Sequence, residues 1–195
     1  MGHREDLLAA AGKLISEKGY ARITARDLVA ESGTNLASIG YHFGSKEALL
    51  NAAIFDAFSD WTTYLANTAM TAQVNSPHER AVITWAAMLN DFHDQQPLLV
   101  AVAEALAQAE RTPELRHQFA EQYRAIRSRV AGYVAEAVDG LSAEDPRTAA
   151  IASFMIAVCD GFAMQWLIDA DNTPSPAELI NGLTLLFDSV GRDSG

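Results

Sequence analysis

Within the 23 residues from position 24 to position 46 stand Thr24, Arg26, Asn35, Ser38, Tyr41, His42 and Lys46, side chains able to donate hydrogen bonds to an anion or to a base edge. That chemistry is recognition rather than catalysis. Arginine can fork onto two acceptors, and hydroxyls and ammonium groups can hold phosphate oxygens. The parts an enzyme would need are missing elsewhere. The five histidines (3, 42, 78, 93 and 117) are scattered. There is no His-Glu-x-x-His pair, phosphate loop, Gly-x-Ser-x-Gly elbow or dinucleotide glycine pattern. Phe92-His93-Asp94 reads as a solvated helix end. The single cysteine, Cys159, excludes a disulfide framework and a cysteine zinc site within one chain. No enzyme activity, metal or cofactor is expected.

The elements that position the donors can be read from caps and stops. Leu7, Ala11, Leu14 and Ile15 form one helical stripe that Lys18-Gly19 ends. Thr24 precedes an acid at position 27, a capping-box pattern opening a short helix over about 25–32. Gly33 breaks it, at a turn that calls for a positive φ. Asn35 caps a second short helix to about Phe43, and Ser45 caps a long one carrying Leu49, Ala53, Ala57 and Tyr64. Ile39 and Phe43, four apart, face inward. Further on, Pro77, Pro97, Pro113, Pro146 and the Pro174/Pro176 pair each mark a helix start. The amphipathic stretches between them cover 46–72, 78–94, 98–110, 113–139, 145–169 and 176–191. With no alternating strand pattern, the expectation is an all-α fold of about nine helices. A three-helix head (1–45) sits on a larger body (46–195), the long helix from Ser45 joining them.

Two short helices joined by a glycine turn are the minimal major-groove reader. The segment from Ile23 to Leu49, above all Tyr41-His42-Phe43-Gly44-Ser45-Lys46-Glu47-Ala48-Leu49, resembles the TetR family of bacterial transcriptional regulators. The strong match spans about residues 5–55. The resemblance implies a dimeric DNA-binding regulator, most simply a repressor that a small molecule releases from a palindromic operator. It places Arg26 at a groove edge and Tyr41, His42 and Lys46 on phosphates. Thr24 and Asn35, at helix N-termini, join the candidates for DNA contact, with Leu36, Ala37 and Ser38 on the reading face. Alternatives stay open: Arg26 pairs with an acid, His42 is a satisfied head histidine, Lys46 pairs with acids of its own helix. Leu36, spaced with Ile39 and Phe43, would also suit a core position. Gly40 departs from the family pattern, which often has an aromatic there. The reading face is then small and poor in donors, leaving thymine methyls and DNA shape to help.

The body's aromatic and aliphatic stripes suit a cavity for an apolar or aromatic effector. Candidate lining residues are Trp61, Leu65, Trp85, Met88, Leu89, Phe92, Tyr123, Met155, Val158 and Phe162, with Phe58, Phe119, Ile126 and Phe154 nearby in sequence. Asp91, Asp160 or Arg127 could anchor a charged group. The apolar segments 149–168 and 179–190 could form the body's own core. The resemblance instead implies a four-helix bundle formed with the same pair in a second subunit, giving a homodimer.

A net charge of −11 argues at first against a DNA partner, but its distribution removes the conflict. Residues 1–50 hold six basic and six acidic residues, so the whole excess lies in the body. A neutral head can approach phosphates while the acidic body is held off. The polar N-terminus lacks a signal-peptide core, and no apolar run reaches the roughly 20 residues of a bilayer span, so a soluble cytoplasmic protein without membrane contact is expected. The competing expectation is an architectural or nucleoid-occlusion-type DNA-binding protein of the same fold with no inducer.

Overall fold

The computed structural model describes residues 2–71 and 77–192. Among these, eight α-helices and no strands are present. They are α1 (His3–Lys18), α2 (Ala25–Ser32), α3 (Leu36–Phe43), α4 (Lys46–Thr71), α5 (Pro77–Ala109), α6 (Pro113–Ala137), α7 (Pro146–Ile168) and α8 (Pro176–Arg192).

Local chemistry sets the boundaries of the first four. Gly19 ends α1 at φ 74° and Gly33 ends α2 at φ 65°, backbone states that cost a glycine little. Thr24 and Asp27 form the reciprocal capping box at the start of α2. Asn35 accepts the Ser38 amide at 3.1 Å to open α3, and Ser45 accepts the Ala48 amide at 3.0 Å to open α4. Each such cap contributes on the order of 1 kcal/mol.

The body differs from the sequence-based expectation at Pro97. A break is expected there, yet α5 runs unbroken for 33 residues with Pro97 inside it. A proline within a helix costs roughly 3 kcal/mol in a lost hydrogen bond and ring crowding. Leu98, Leu99, Ala101 and Ala105 immediately beyond it are buried. Burying two leucines alone returns about 3–6 kcal/mol. Tertiary packing therefore carries the helix through the proline, and the count is eight rather than about nine.

Two buried clusters result. The first joins Leu7, Leu14, Leu28 and Ile39 of the head to Leu49, Leu50 and Ile54 of α4, to Leu98, Ala101 and Ala105 of α5, and to Leu115 and Phe119 of α6. The second, deeper in the body, joins Trp61, Leu65, Met88, Phe92, Leu99, Trp166 and Ile180. Helix α7 packs on α5 and α6, and α8 packs on α5. At 23 residues, α7 is long and apolar enough by length and composition to cross a membrane, which the sequence alone did not lead one to expect. Phe162, Ala163 and Trp166 on it are nonetheless buried within the protein.

Candidate DNA-binding surface and effector cavity

Helices α2 and α3 stand on α1 through Leu28 and Ile39, both almost inaccessible. Phe43 packs against the same cluster, with the Arg4 guanidinium 5.4 Å from its ring centroid. This anchoring turns one face of α3 outward. Leu36, Ala37, Gly40 and Tyr41 are exposed, Leu36 at 56% and Tyr41 at 86%. Leu36 thus points away from the head's core. Arg26 is also exposed, and its side chain has no hydrogen bond or ion pair with any described residue.

The other candidates are more constrained. The Thr24 hydroxyl donates to the Asp27 carboxylate at 2.6 Å, and the Thr24 amide donates to the same oxygen at 2.8 Å. Lys18 donates to Asp27's other oxygen at 2.7 Å, and these bonds hold the Asp27 carboxyl far below the usual range. The N-terminus of α2 therefore already carries a carboxylate. Ser38 is buried, its hydroxyl 3.3 Å from Asn35 Oδ1 and 3.4 Å from His3 Nδ1. His42 is half-buried with its ring edge-on to Tyr41. Lys46 donates to the Ile23 carbonyl at 3.0 Å and lies 3.4 Å from Glu47. The exposed set is thus Arg26, Leu36, Ala37 and Tyr41, together with Thr24 and Asn35 at the two helix starts.

In the body, α4, α5, α6 and α7 enclose a cavity of about 750 Å³. It falls within the range of roughly 300–1,000 Å³ typical of small-molecule sites. Trp61, Leu65, Met88, Phe92, Tyr123 and Met155 line it, with Phe58 and Ile126. Leu89 and Val158 lie outside the lining, packed against the second cluster, and Phe162 is buried away from it. Phe119 sits in the first cluster, edge-on to Phe55, and Phe154 is exposed. The side chain of Trp85 lies outside the described residues. Sequence reasoning missed Leu99, Val102 and Leu106 on α5 and Tyr133 on α6. These α5 residues continue the line of Met88 and Phe92 along one helix face, a continuity that is lost once the helix is taken to restart at Pro97.

Polar groups on the wall are few. The Tyr123 hydroxyl donates to Asp160 at 2.9 Å. Burial raises the Asp160 carboxyl above its ordinary pKa. Burial, and then the charge of Asp160, push the Tyr123 hydroxyl upward too. Arg129 also reaches the wall, and its guanidinium donates to Thr63 at 3.0 Å. Asp91 accepts the Trp61 indole N–H at 3.2 Å, and Arg127 lies off the lining.

Cavity and head share walls. Leu99, Val102 and Leu106 of α5 face the cavity, while Leu98, Ala101 and Ala105 of the same helix belong to the head's buried cluster. The buried Tyr20, just after α1, donates its hydroxyl to Asn51 of α4 at 3.0 Å and meets Gln108 of α5 at 3.2 Å.

Comparison with known proteins accounts for both halves. Residues 7–53 match the profile of bacterial regulatory proteins of the tetR family, and residues 77–185 match the C-terminal part of BetI-type transcriptional repressors. No curated protein matches the chain at a significant level. Among solved structures, a candidate transcriptional regulator from Streptomyces coelicolor A3(2) is 25% identical, covering 92% of this chain and 95% of its own, with a TM-score of 0.68. A candidate TetR-family regulator from Rhodococcus sp. shares the fold at 21% identity, 95% and 98% coverage and a TM-score of 0.72. So does the multidrug binding protein EbrR, complexed with imidazole, at 24% identity, 94% and 88% coverage and a TM-score of 0.67. Members of this family are non-enzymatic DNA-binding transcription factors that act as dimers and bind small-molecule effectors. With its helix-turn-helix head and a BetI-type body matched over more than half its length, the chain belongs to the TetR family of bacterial transcriptional regulators.

Proposed function

We propose that the protein is an effector-responsive repressor acting in the cytoplasm, where its DNA is. The observation that carries this reading is the shared wall. An occupant of the cavity presses on α4 and α5, the two helices that Tyr20 ties to the head. On the DNA side, Arg26 forks onto a guanine in the major groove, with Leu36 and Ala37 against thymine methyls. Tyr41, His42 and Lys46 serve phosphates, Lys46 by letting go of its present partners. Thr24, Asn35 and Ser38 shape the helix starts beside the backbone. The cavity's aromatic lining suits an apolar or aromatic effector, and its size speaks against the inducer-free architectural role.

Dimerisation through α7 and α8 completes the reading. Phe154 and Ile168 of α7 and Leu185 of α8 are exposed apolar side chains, Ile168 at 86%. A second copy would cover them. Two-fold symmetry then spaces the reading helices about 34–36 Å apart on a palindromic site. The test is selection of bound fragments from a random DNA pool. Inverted half-sites whose centres lie about one helical turn, or a multiple of it, apart are expected. A pool enriched in no inverted repeat would overturn the symmetric operator.

A further inference from the structure

We propose that the cavity selects organic monocations: molecules with an apolar or aromatic body and one positive nitrogen seated against Asp160. The proposal rests on the effector reading above and narrows it by charge.

Three observations lead there. First, Asp160 reaches the wall of a cavity that is otherwise largely aromatic and aliphatic, with Phe58, Trp61, Phe92 and Met155 around the same space. Second, its one hydrogen-bond partner among the described residues is the Tyr123 hydroxyl at 2.9 Å, which is neutral. No Lys, Arg or His lies within salt-bridge distance of it among those residues; the described ion pairs all lie elsewhere. A half-buried carboxylate lacking a cation is an expensive arrangement that a bound cation relieves. Third, the cavity's other charged residue, Arg129, directs its guanidinium to Thr63 at 3.0 Å and forms no ion pair with Asp160, so it does not neutralise that carboxylate. The aromatic rings add attraction for a cation at their faces. The raised pKa of Asp160 agrees with an uncompensated charge.

The test uses three probes with one body and three head groups: 4-phenylbutylamine, 4-phenyl-1-butanol and 4-phenylbutyrate. Each is titrated by calorimetry into the full chain at pH 7. The amine is expected to bind at least about tenfold tighter than the alcohol, and the carboxylate weakest. In Asp160→Asn, which keeps the side chain's size and an acceptor for Tyr123, the amine's affinity should fall to that of the alcohol, whose own affinity should not move. Equal binding of amine and alcohol to the wild-type chain would overturn charge selection and leave the effector reading standing. Tightest binding of the carboxylate would overturn it in favour of Arg129. Binding of none of the three up to millimolar concentration would sink the effector reading and this proposal together. The wild-type comparison needs no variant, so charge selection stands or falls on it even where Asp160→Asn folds poorly.

Discussion

The head presents its functional side chains outward from a filled core, whereas the body turns its own inward around a cavity. In the head, Leu28 and Ile39 fill the interior while Arg26 and Tyr41 project from it. In the body, Trp61, Phe92 and Tyr123 converge on about 750 Å³ of cavity. The charge follows the same division, a neutral head against a body holding the whole excess of −11. Reading DNA demands a rigid surface presented at fixed spacing, and close packing supplies it. Sensing demands a volume whose occupancy alters the walls. The two demands meet on α5, which faces the cavity on one stripe and the head on another.

Truncating one side chain in each region puts this contrast under the greatest strain. Ile39→Ala should cost about 2–5 kcal/mol by leaving a void in the head's packed core. Leu106→Ala, at a cavity wall where Leu106 is already 39% exposed, should cost far less. Urea unfolding of both variants measures the difference; equal losses would mean that the head is no better packed than the body.

Next in size, Arg26→Ala should weaken operator binding by about 1–3 kcal/mol and relax preference at one base. A gel-shift titration showing unchanged affinity would remove Arg26 from the groove. Tyr20→Phe probes the join between the regions. It strips Asn51, which is buried, of a hydrogen bond at 3.0 Å, so about 1–3 kcal/mol of stability should go. Thermal unfolding at wild-type stability would show that the join does not depend on this hydroxyl. The smallest effect is expected at Gly40. A Cβ there would meet nothing within 4 Å. Gly40→Ala should therefore stabilise the head by up to about 1 kcal/mol through helix propensity alone, and a loss of stability would show that the glycine serves the fold.

The two regions also differ in how much of them the sequence discloses. Thr24, Gly33, Asn35 and Ser45 act within three or four residues, so the boundaries of α2, α3 and the start of α4 can be read directly. Pro97 could not be read this way, because what overrides its local cost is burial against other helices. The join of Leu99, Val102 and Leu106 to Met88 and Phe92 in one cavity stripe is hidden for the same reason. Within the head, Ser38 lies on a helix whose sequence places it among the readers, yet His3, thirty-five residues away, covers it. Lys46 likewise finds the Ile23 carbonyl across a gap of 23 residues. Local capping is written in adjacent residues; contacts between distant ones are not.

Filling the cavity should change how the head meets DNA, because the two share α4 and α5. The decisive experiment measures affinity for the selected operator, at one fixed salt concentration, with and without a saturating amount of whichever phenylbutyl probe binds tightest. Affinity is expected to fall at least about tenfold, a coupling of about 1.4 kcal/mol. Unchanged operator affinity with the probe demonstrably bound would mean that the cavity and the reading head are not coupled.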